Sequence, residues 1–319
     1  MSISIVRLLA ALTLLLTLAT PAQATPSSSQ VTETVVEEGR VLDLTIDSPL
    51  LHVPGKVRLL LPPGYSEDPT RRWPVLWLLH GGADGAYTDW TEKGDVKNIV
   101  GDREVLVVMP DSGPCSGYMD WKDTGIPPRK WESFHMGELY DLLKNEYRAG
   151  DRQAIAGVSM GGGGALGYAA RFPGRFAAAA SFSGALDLDY PGKPGIATMV
   201  AIQSGALACG VTVDQIYGPV GGEHWNRYNP KHQIEALRGT RLYIATGDGQ
   251  AGRDQNGVGN PLLVDVVEQS VYGMAAQFTS ALGELDIPVR VNFKPFHRHD
   301  WINWQEELEN SIDFLVGDL

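Results

Sequence analysis

The chain has 319 residues, of which 43% are hydrophobic and 20% are charged, which suits one large globular domain. It carries 26 Lys and Arg against 38 Asp and Glu, a formal net charge of −12. Because no cluster of Lys and Arg offers a basic face, the sequence argues against a nucleic-acid partner.

The first residues have the pattern of a secretory signal peptide. Arg7 gives a basic start, 8–18 is an apolar run, and Ala22–Ala24 is a small-residue cleavage site. The run is shorter than the about 20 residues of a membrane span. We therefore expect a signal peptide over 1–24, cleavage after Ala24, and a protein secreted outside the cell or to the cell envelope, with no membrane span. Residues 25–40, first rich in Ser, Thr and Pro and then acidic, are predicted to be a flexible lead-in.

Strands and helices alternate over the predicted domain, 41–319. Short apolar runs predict strands, and apolar residues at helical spacing predict helices. The predicted strands are 41–46, 56–61, 74–79, 105–109, 154–157, 177–182, 242–246 and 289–293, and the predicted helices are 131–147, 161–172, 262–282 and 301–315. This order predicts one α/β domain with a mostly parallel sheet and helices on both faces. Residues 183–240, rich in Gly, Pro and aromatics, are predicted to be an irregular insertion over the carboxyl edge of the sheet, where such folds bind ligands.

The sequence Gly157–Gly161 (GVSMG) matches the nucleophile elbow of α/β-hydrolases. Serine in this motif sits on a sharp turn from a strand to a helix, and glycine on either side avoids collisions. An apolar run precedes the motif and a helix-like segment follows it, as the motif requires. We therefore predict an α/β-hydrolase fold with Ser159 as nucleophile.

A serine hydroxyl needs a base, which in this fold is a histidine after the last strand. His224 and His232 lie in the predicted insertion, whereas His297 and His299 follow the last predicted strand. We prefer His299, because the chain then passes directly into the closing helix, and His297 remains the alternative.

The acid that orients the base is less clear from the residues alone. Acidic residues lie at six positions between the strand 242–246 and His299: Asp248, Asp254, Asp265, Glu268, Glu284 and Asp286. The order of the fold favours Asp248 or Asp254, in the loop after that strand.

Two backbone amides are expected to bind the oxyanion. One is Met160, which follows the nucleophile. The other is Gly82, because 80–83 (HGGA) resembles the oxyanion loop of esterases.

Metal and cofactor sites are not predicted. Asp248, Asp254 and Asn256 carry oxygen ligands, but their spacing does not match the calcium loop motif. Cys115 and Cys209 are too few for a zinc site, and the sequence leaves open whether they form a disulfide.

The chain resembles the esterase D group of α/β-hydrolases and, within it, the antigen 85 mycolyltransferases of actinobacteria. The resemblance rests on the strings VVMPDSG, YMDW, KWESF, GVSMGG, YGPVGGEHWNRYNP, LYIATGDG and HDWINW, which occur in the family's order. It implies Glu268 as the acid, hence a Ser159–Glu268–His299 triad, with Gly82 and Met160 as oxyanion donors. It also implies substrate-binding roles for Trp301 and for the position of His80.

Some positions depart from the antigen 85 pattern. Antigen 85 proteins have an aspartate at the position of His80 and an arginine near the position of Ala83. In those proteins the aspartate and the arginine help to bind trehalose. A cysteine near the catalytic site is replaced around Thr246. We therefore predict a secreted serine esterase or acyltransferase acting on small-molecule or lipid esters, with water, a sugar or glycerol as acceptor. The alternatives are a trehalose mycolyltransferase or diacylglycerol acyltransferase of the antigen 85 type, and a catalytically inactive binding protein on the same fold.

Overall fold

The structure, a computed structural model, describes residues 30–37, 39–83, 85–122, 129–190, 193–250 and 261–319, and describes only the backbone of 193–198 and 261–265. The predicted signal peptide and the start of the predicted lead-in lie outside these residues. The strands are β1 (Gln30–Glu37), β2 (Val41–Asp47), β3 (Gly55–Leu60), β4 (Trp73–Leu79), β5 (Leu106–Pro110), β6 (Ala149–Val158), β7 (Ala178–Phe182), β8 (Arg241–Gly247) and β9 (Val289–Lys294).

The described strands form one sheet in the order β1-β2-β3-β5-β4-β6-β7-β8-β9. β1, β2 and β3 pair antiparallel, as β3 does with β5. From β5 to β9 every neighbouring pair is parallel. The loops after these parallel strands therefore meet at one edge of the sheet, which we call the carboxyl edge.

Helices connect the parallel strands. They are α1 (Asp89–Glu92), α2 (Val96–Val100), α3 (Trp131–Ser133), α4 (Tyr140–Glu146), α5 (Met160–Arg171), α6 (Lys193–Ala208), α7 (Val213–Tyr217), α8 (Glu223–Tyr228), α9 (Pro261–Glu284) and α10 (Trp301–Val316). A π-helical turn, Phe134–Leu139, joins α3 to α4, and a 3-10 helix, Pro230–Leu237, precedes β8. The helix predicted over 131–147 is therefore present, but its middle has π-helical hydrogen bonding.

The sheet has a hydrophobic core on each face because its central strands are apolar on both sides. On one face, Trp77 and Ile155 pack with residues of α3, α4, α5 and α9. On the other, Leu78 and Ala156 pack with residues of α1, α2 and α10. The predicted arrangement of helices on both faces of a mostly parallel sheet is confirmed.

Two predictions were wrong. The predicted lead-in is not flexible throughout, because residues 30–37 form strand β1, which pairs with β2. The Val and Thr residues of this segment favour a strand, and this preference outweighs the effect of its acidic residues. The segment 183–240 is not irregular, because α6, α7, α8 and the 3-10 helix lie within it. In this segment α6 packs against α9, and the 3-10 helix packs against α5. Among the described residues, no helix combines the length and apolarity needed to cross a membrane.

Candidate active site

Ser159 lies at the sharp turn between β6 and α5, with φ 53° and ψ −118°. Positive φ is strained for a residue with a side chain, and such strain clusters at functional sites. A Cβ added at Gly157 would collide with the carbonyl oxygen of Gly161, and one added at Gly161 would collide with that of His80. Both glycines of the motif are therefore required by the packing of the turn.

His299 lies in the loop after β9 and faces the serine. Its Nε2 is 2.8 Å from Oγ of Ser159, across 140 residues of sequence, so the hydroxyl can donate a hydrogen bond to the ring. The alternative base, His297, does not face this site, because its Nε2 lies 3.1 Å from a carboxylate oxygen of Glu306. Of the two histidines, the structure brings only His299 to Ser159.

The other ring nitrogen of His299 faces Glu268, on α9. Oε2 of Glu268 lies 2.6 Å from Nδ1 of His299, and Glu268 is fully buried. Asp248, which the loop order favoured, instead accepts the backbone amide of Phe296 at 2.8 Å and fastens the loop that carries His299. Asp254 lies outside the described residues. The carboxylate beside the imidazole is thus the one implied by family resemblance.

Three groups donate hydrogen bonds to the second carboxylate oxygen of Glu268, and the sequence did not predict them. Oε1 accepts the hydroxyl of Ser183 at 2.8 Å, the hydroxyl of Thr246 at 2.9 Å and the amide of Gly247 at 2.5 Å. Ser183 follows β7, and Thr246 and Gly247 end β8, so all three lie at the carboxyl edge. Their position at the ends of neighbouring strands was a usable signal.

Trp304 supports the same group from α10. Its indole N–H donates to Oγ of Ser183 at 3.1 Å, and its ring lies edge-on to His299 with centroids 4.9 Å apart. Trp301, one turn earlier, is half-buried and packs edge-on against Trp90 and Trp304, with centroids 5.2 and 5.3 Å away. Trp301 therefore packs against Trp304, the ring that contacts His299.

Asp300, which follows His299, caps α10 by accepting the amide of Asn303 at 3.1 Å. The pKa of the Asp300 carboxyl is raised, mainly because the group is buried. The hydrogen bond from the Asn303 amide lowers this pKa, and the negative charge of Glu268 raises it further. The cap fixes the point at which the chain turns from the His299 loop into α10.

The predicted oxyanion donors lie beside the serine. Met160 is the first residue of α5, so its amide has no carbonyl partner within the helix. A Cβ added at Gly82 would lie 3.6 Å from Cβ of Met160, and one added at Gly81 would lie 3.6 Å from Cβ of Ser159. The loop that carries Gly82 therefore runs along the start of α5.

His80 does not lie where a substrate-binding residue would. It is fully buried, with Nδ1 2.6 Å from the carbonyl oxygen of Gly81 and Nε2 3.1 Å from the amide of Ser112. The prediction that its side chain binds substrate is wrong, because His80 follows β4 and its ring is turned into the protein.

Cys115 and Cys209 form a disulfide, which settles the question that the sequence left open. The bond joins the loop after β5 to the end of α6. Pro114, next to Cys115, accepts the amide of Ala83 at 3.0 Å, so this loop also contacts the oxyanion loop. Among the described residues, no group of three or more His, Cys, Asp or Glu is placed to hold a metal ion.

The sequence profile of the Esterase family matches residues 48–315, most of the chain. The chain belongs to the Esterase family. Its sheet and its helices on both faces are those of an α/β-hydrolase, which the solved structures described below share.

Curated relatives include esterases and acyltransferases. Esterase Rv1288 of Mycobacterium tuberculosis is 34% identical over 203 residues, which cover 60% of this chain and 42% of that protein. Diacylglycerol acyltransferase/mycolyltransferase Ag85A of Mycobacterium gordonae is 30% identical over 257 residues, which cover 77% of this chain and 72% of that protein. The resemblance to the antigen 85 proteins is confirmed, while the chain spans less than half the length of the esterase relative.

Two solved structures share the fold. MPT51 of Mycobacterium tuberculosis has a TM-score of 0.68 at 22% identity, covering 86% of this chain and 96% of that one. An S-formylglutathione hydrolase from Agrobacterium tumefaciens has the same TM-score, 0.68, at 18% identity, covering 91% of this chain and 99% of that one. At these identities the likeness supports the fold alone.

Proposed function

We propose that this esterase-family chain is a serine esterase or acyltransferase that works through an acyl-serine intermediate. The proposal rests on two adjoining contacts. Ser159 Oγ lies 2.8 Å from His299 Nε2, and His299 Nδ1 lies 2.6 Å from Glu268 Oε2. A nucleophile, a base and an orienting acid in this arrangement are the requirements for serine acyl transfer.

The first half of the reaction forms the acyl-enzyme. His299 takes the proton of Ser159 as Oγ attacks the ester carbonyl, and Glu268 stabilises the imidazolium that results. The amides of Gly82 and Met160 donate to the oxyanion of the tetrahedral intermediate. His299 then gives its proton to the leaving alcohol, and the acyl group remains on Ser159.

The second half transfers the acyl group to an acceptor. His299 removes a proton from water or from an alcohol, which attacks the acyl-serine, and Ser159 leaves with the proton. We propose small-molecule or lipid esters as donors, and water, a sugar or glycerol as acceptors. The relationship to Ag85A supports transfer to an alcohol. Since His80 is buried, the trehalose contact made at that position in antigen 85 proteins is not reproduced by its side chain.

Trp301 is proposed as a substrate contact. Its half-buried ring lies two residues after His299 and packs between Trp90 and Trp304. An apolar ring at this place suits the acyl or alcohol part of an ester.

We further propose that the protein is exported and acts outside the cell or in the cell envelope. The basic start, apolar run and small-residue site of 1–24 support export. The disulfide between Cys115 and Cys209 fits an oxidising compartment.

The proposal is tested by replacing the nucleophile. Ser159→Ala should lower kcat for p-nitrophenyl esters by at least about 10³-fold, since the covalent route is lost. Ser66→Ala, at an exposed serine, is the matched control and should retain full activity. A fluorophosphonate should add to Ser159, as located by mass spectrometry of the adduct. Full turnover by Ser159→Ala, or no adduct on Ser159, would contradict the proposal and favour an inactive binding protein.

The acceptor is identified in the same assay by product analysis. Esters of increasing acyl length are supplied with water alone, with glycerol, or with a sugar, and the acylated products are weighed by mass spectrometry. Release of free acid alone indicates an esterase, and an acylated alcohol indicates an acyltransferase.

A further inference from the structure

The buried side chain of His80 contacts the peptide that carries a proposed oxyanion donor. Nδ1 of His80 lies 2.6 Å from the carbonyl oxygen of Gly81. That carbonyl and the amide N–H of Gly82 belong to the same peptide unit, which is planar. We propose that His80 is a positioning residue that fixes the orientation of the Gly81–Gly82 peptide, and so aims the Gly82 N–H at the oxyanion. This rests on the proposed function, in which Gly82 is a donor.

The direction of the Gly82 N–H follows from the geometry of the peptide unit. In a trans peptide the C=O and the N–H point in opposite directions. Because His80 holds the Gly81 oxygen toward the interior, the Gly82 N–H points the other way, away from the buried ring. A peptide between two glycines has wide conformational freedom, so its orientation needs an external hold.

The hydrogen-bond partners of the His80 ring identify which nitrogen carries the proton. A carbonyl oxygen only accepts, so Nδ1 of His80 must carry the proton that it shares with Gly81. In the neutral ring, Nε2 accepts the amide of Ser112 at 3.1 Å. Nδ1–H therefore donates to the Gly81 carbonyl, and Nε2 is the acceptor.

The surroundings of this contact exclude water and restrict the loop. His80 is fully buried. A Cβ added at Gly85 would collide with the Gly81 carbonyl and would lie 2.8 Å from Nδ1 of His80, so Gly85 packs directly over the contact. On the far side of Gly82, Ala83 is held at φ 60° and donates to the carbonyl of Pro114 at 3.0 Å. The Gly81–Gly82 peptide is thus fastened at both ends.

Three substitutions of His80 separate positioning from general packing. His80→Leu removes both ring nitrogens. His80→Asn places an amide nitrogen near the position of Nδ1, and His80→Gln places one nearer Nε2. Gln153→Met is the matched control, since buried Gln153 accepts the indole N–H of Trp77 at 2.9 Å in the sheet, away from the loop.

The measurements are kcat and KM for a p-nitrophenyl ester, and affinity for a trifluoromethyl ketone whose tetrahedral adduct places an oxyanion in the site. His80→Leu should lower kcat about 10²-fold, in the range for loss of one oxyanion donor, with KM nearly unchanged. Affinity for the ketone should fall by a similar factor. His80→Asn should recover more of kcat than His80→Gln, whereas Gln153→Met should lower the unfolding midpoint without this selective loss.

The proposal is overturned if folded His80→Leu keeps its kcat and its ketone affinity. If His80→Leu does not fold, the pair His80→Asn and His80→Gln decides, and equal kcat values would overturn it. Failure of the proposed function has a different signature, because turnover would then persist in Ser159→Ala. Turnover that depends on Ser159 but is indifferent to His80 would reject only the positioning role.

Discussion

Glu268 binds His299 with one carboxylate oxygen and the surrounding protein with the other. Oε2 lies 2.6 Å from His299 Nδ1, and Oε1 accepts hydrogen bonds from Ser183, Thr246 and Gly247. Because the carboxylate is fully buried, its donors fix which oxygen faces the ring. This asymmetry predicts how substitutions at the site will behave.

Glu268→Gln should lower kcat by about 10³- to 10⁴-fold, as an amide does at the acid of other serine triads. The amide oxygen will face the three donors, so the amide NH₂ will face His299. This favours the tautomer that carries its proton on Nε2, which cannot accept the proton of Ser159. The measurement is steady-state kinetics, with circular dichroism to establish folding. A folded variant with wild-type kcat would exclude Glu268 as the acid.

Thr246→Val should lower the free energy of unfolding by about 1–3 kcal/mol, because it removes a hydroxyl that donates to a buried carboxylate at 2.9 Å. The triad contacts remain, so kcat should fall less than it does in Glu268→Gln. Urea unfolding gives the stability, and Thr246→Ser, which keeps the hydroxyl, is the control. Equal stability of the Val and Ser variants would show that this hydrogen bond contributes nothing.

His135 should make the protein less stable at acid pH. Burial lowers the pKa of His135 from 6.5 to about 4, and its ring nitrogens contact the Tyr168 hydroxyl and the Asp111 carbonyl. Between these values the unfolded chain binds a proton that the folded protein does not. The contribution of neutral His135 to the free energy of unfolding is therefore fully present above about pH 6.5. It decreases by roughly 3 kcal/mol as the pH falls toward 4.

The comparison that isolates His135 is urea unfolding of the wild type and His135→Gln across this pH range. The glutamine can still donate to the Asp111 carbonyl but does not titrate. The wild type should lose more stability than the variant between pH 7 and pH 4. Parallel pH curves would show that His135 titrates normally.

Reduction of the disulfide should cost about 4.7 kcal/mol of stability in the chain-entropy account, since the bond joins residues 94 apart in sequence. The urea midpoint should fall when dithiothreitol is added. The double variant Cys115→Ser and Cys209→Ser should match the reduced protein and should not respond to dithiothreitol. A midpoint that is the same with and without reductant would show that the bond does not stabilise the fold.

The sequence by itself determined the parts of the protein that depend on local geometry. Glycines at 157 and 161 are required by the collisions that any side chain would cause at the Ser159 turn, so the motif is readable as a string. The position of His299 followed because parallel strands bring their ends to one edge, and His299 comes after the last of them. The acid of the triad could not be identified in this way. Strand order favoured the loop that holds Asp248, and only the family resemblance pointed to Glu268, on α9.

Only the tertiary structure decided which distant residues meet. The pairing of Cys115 with Cys209, the donors to Glu268 and the inward turn of the His80 ring join positions that no periodicity links. Such contacts are set by how helices and loops pack on the sheet, a property of the whole chain. His80 shows the difference most clearly: its place before Gly81 and Gly82 was visible in the sequence, but the direction of its ring was not.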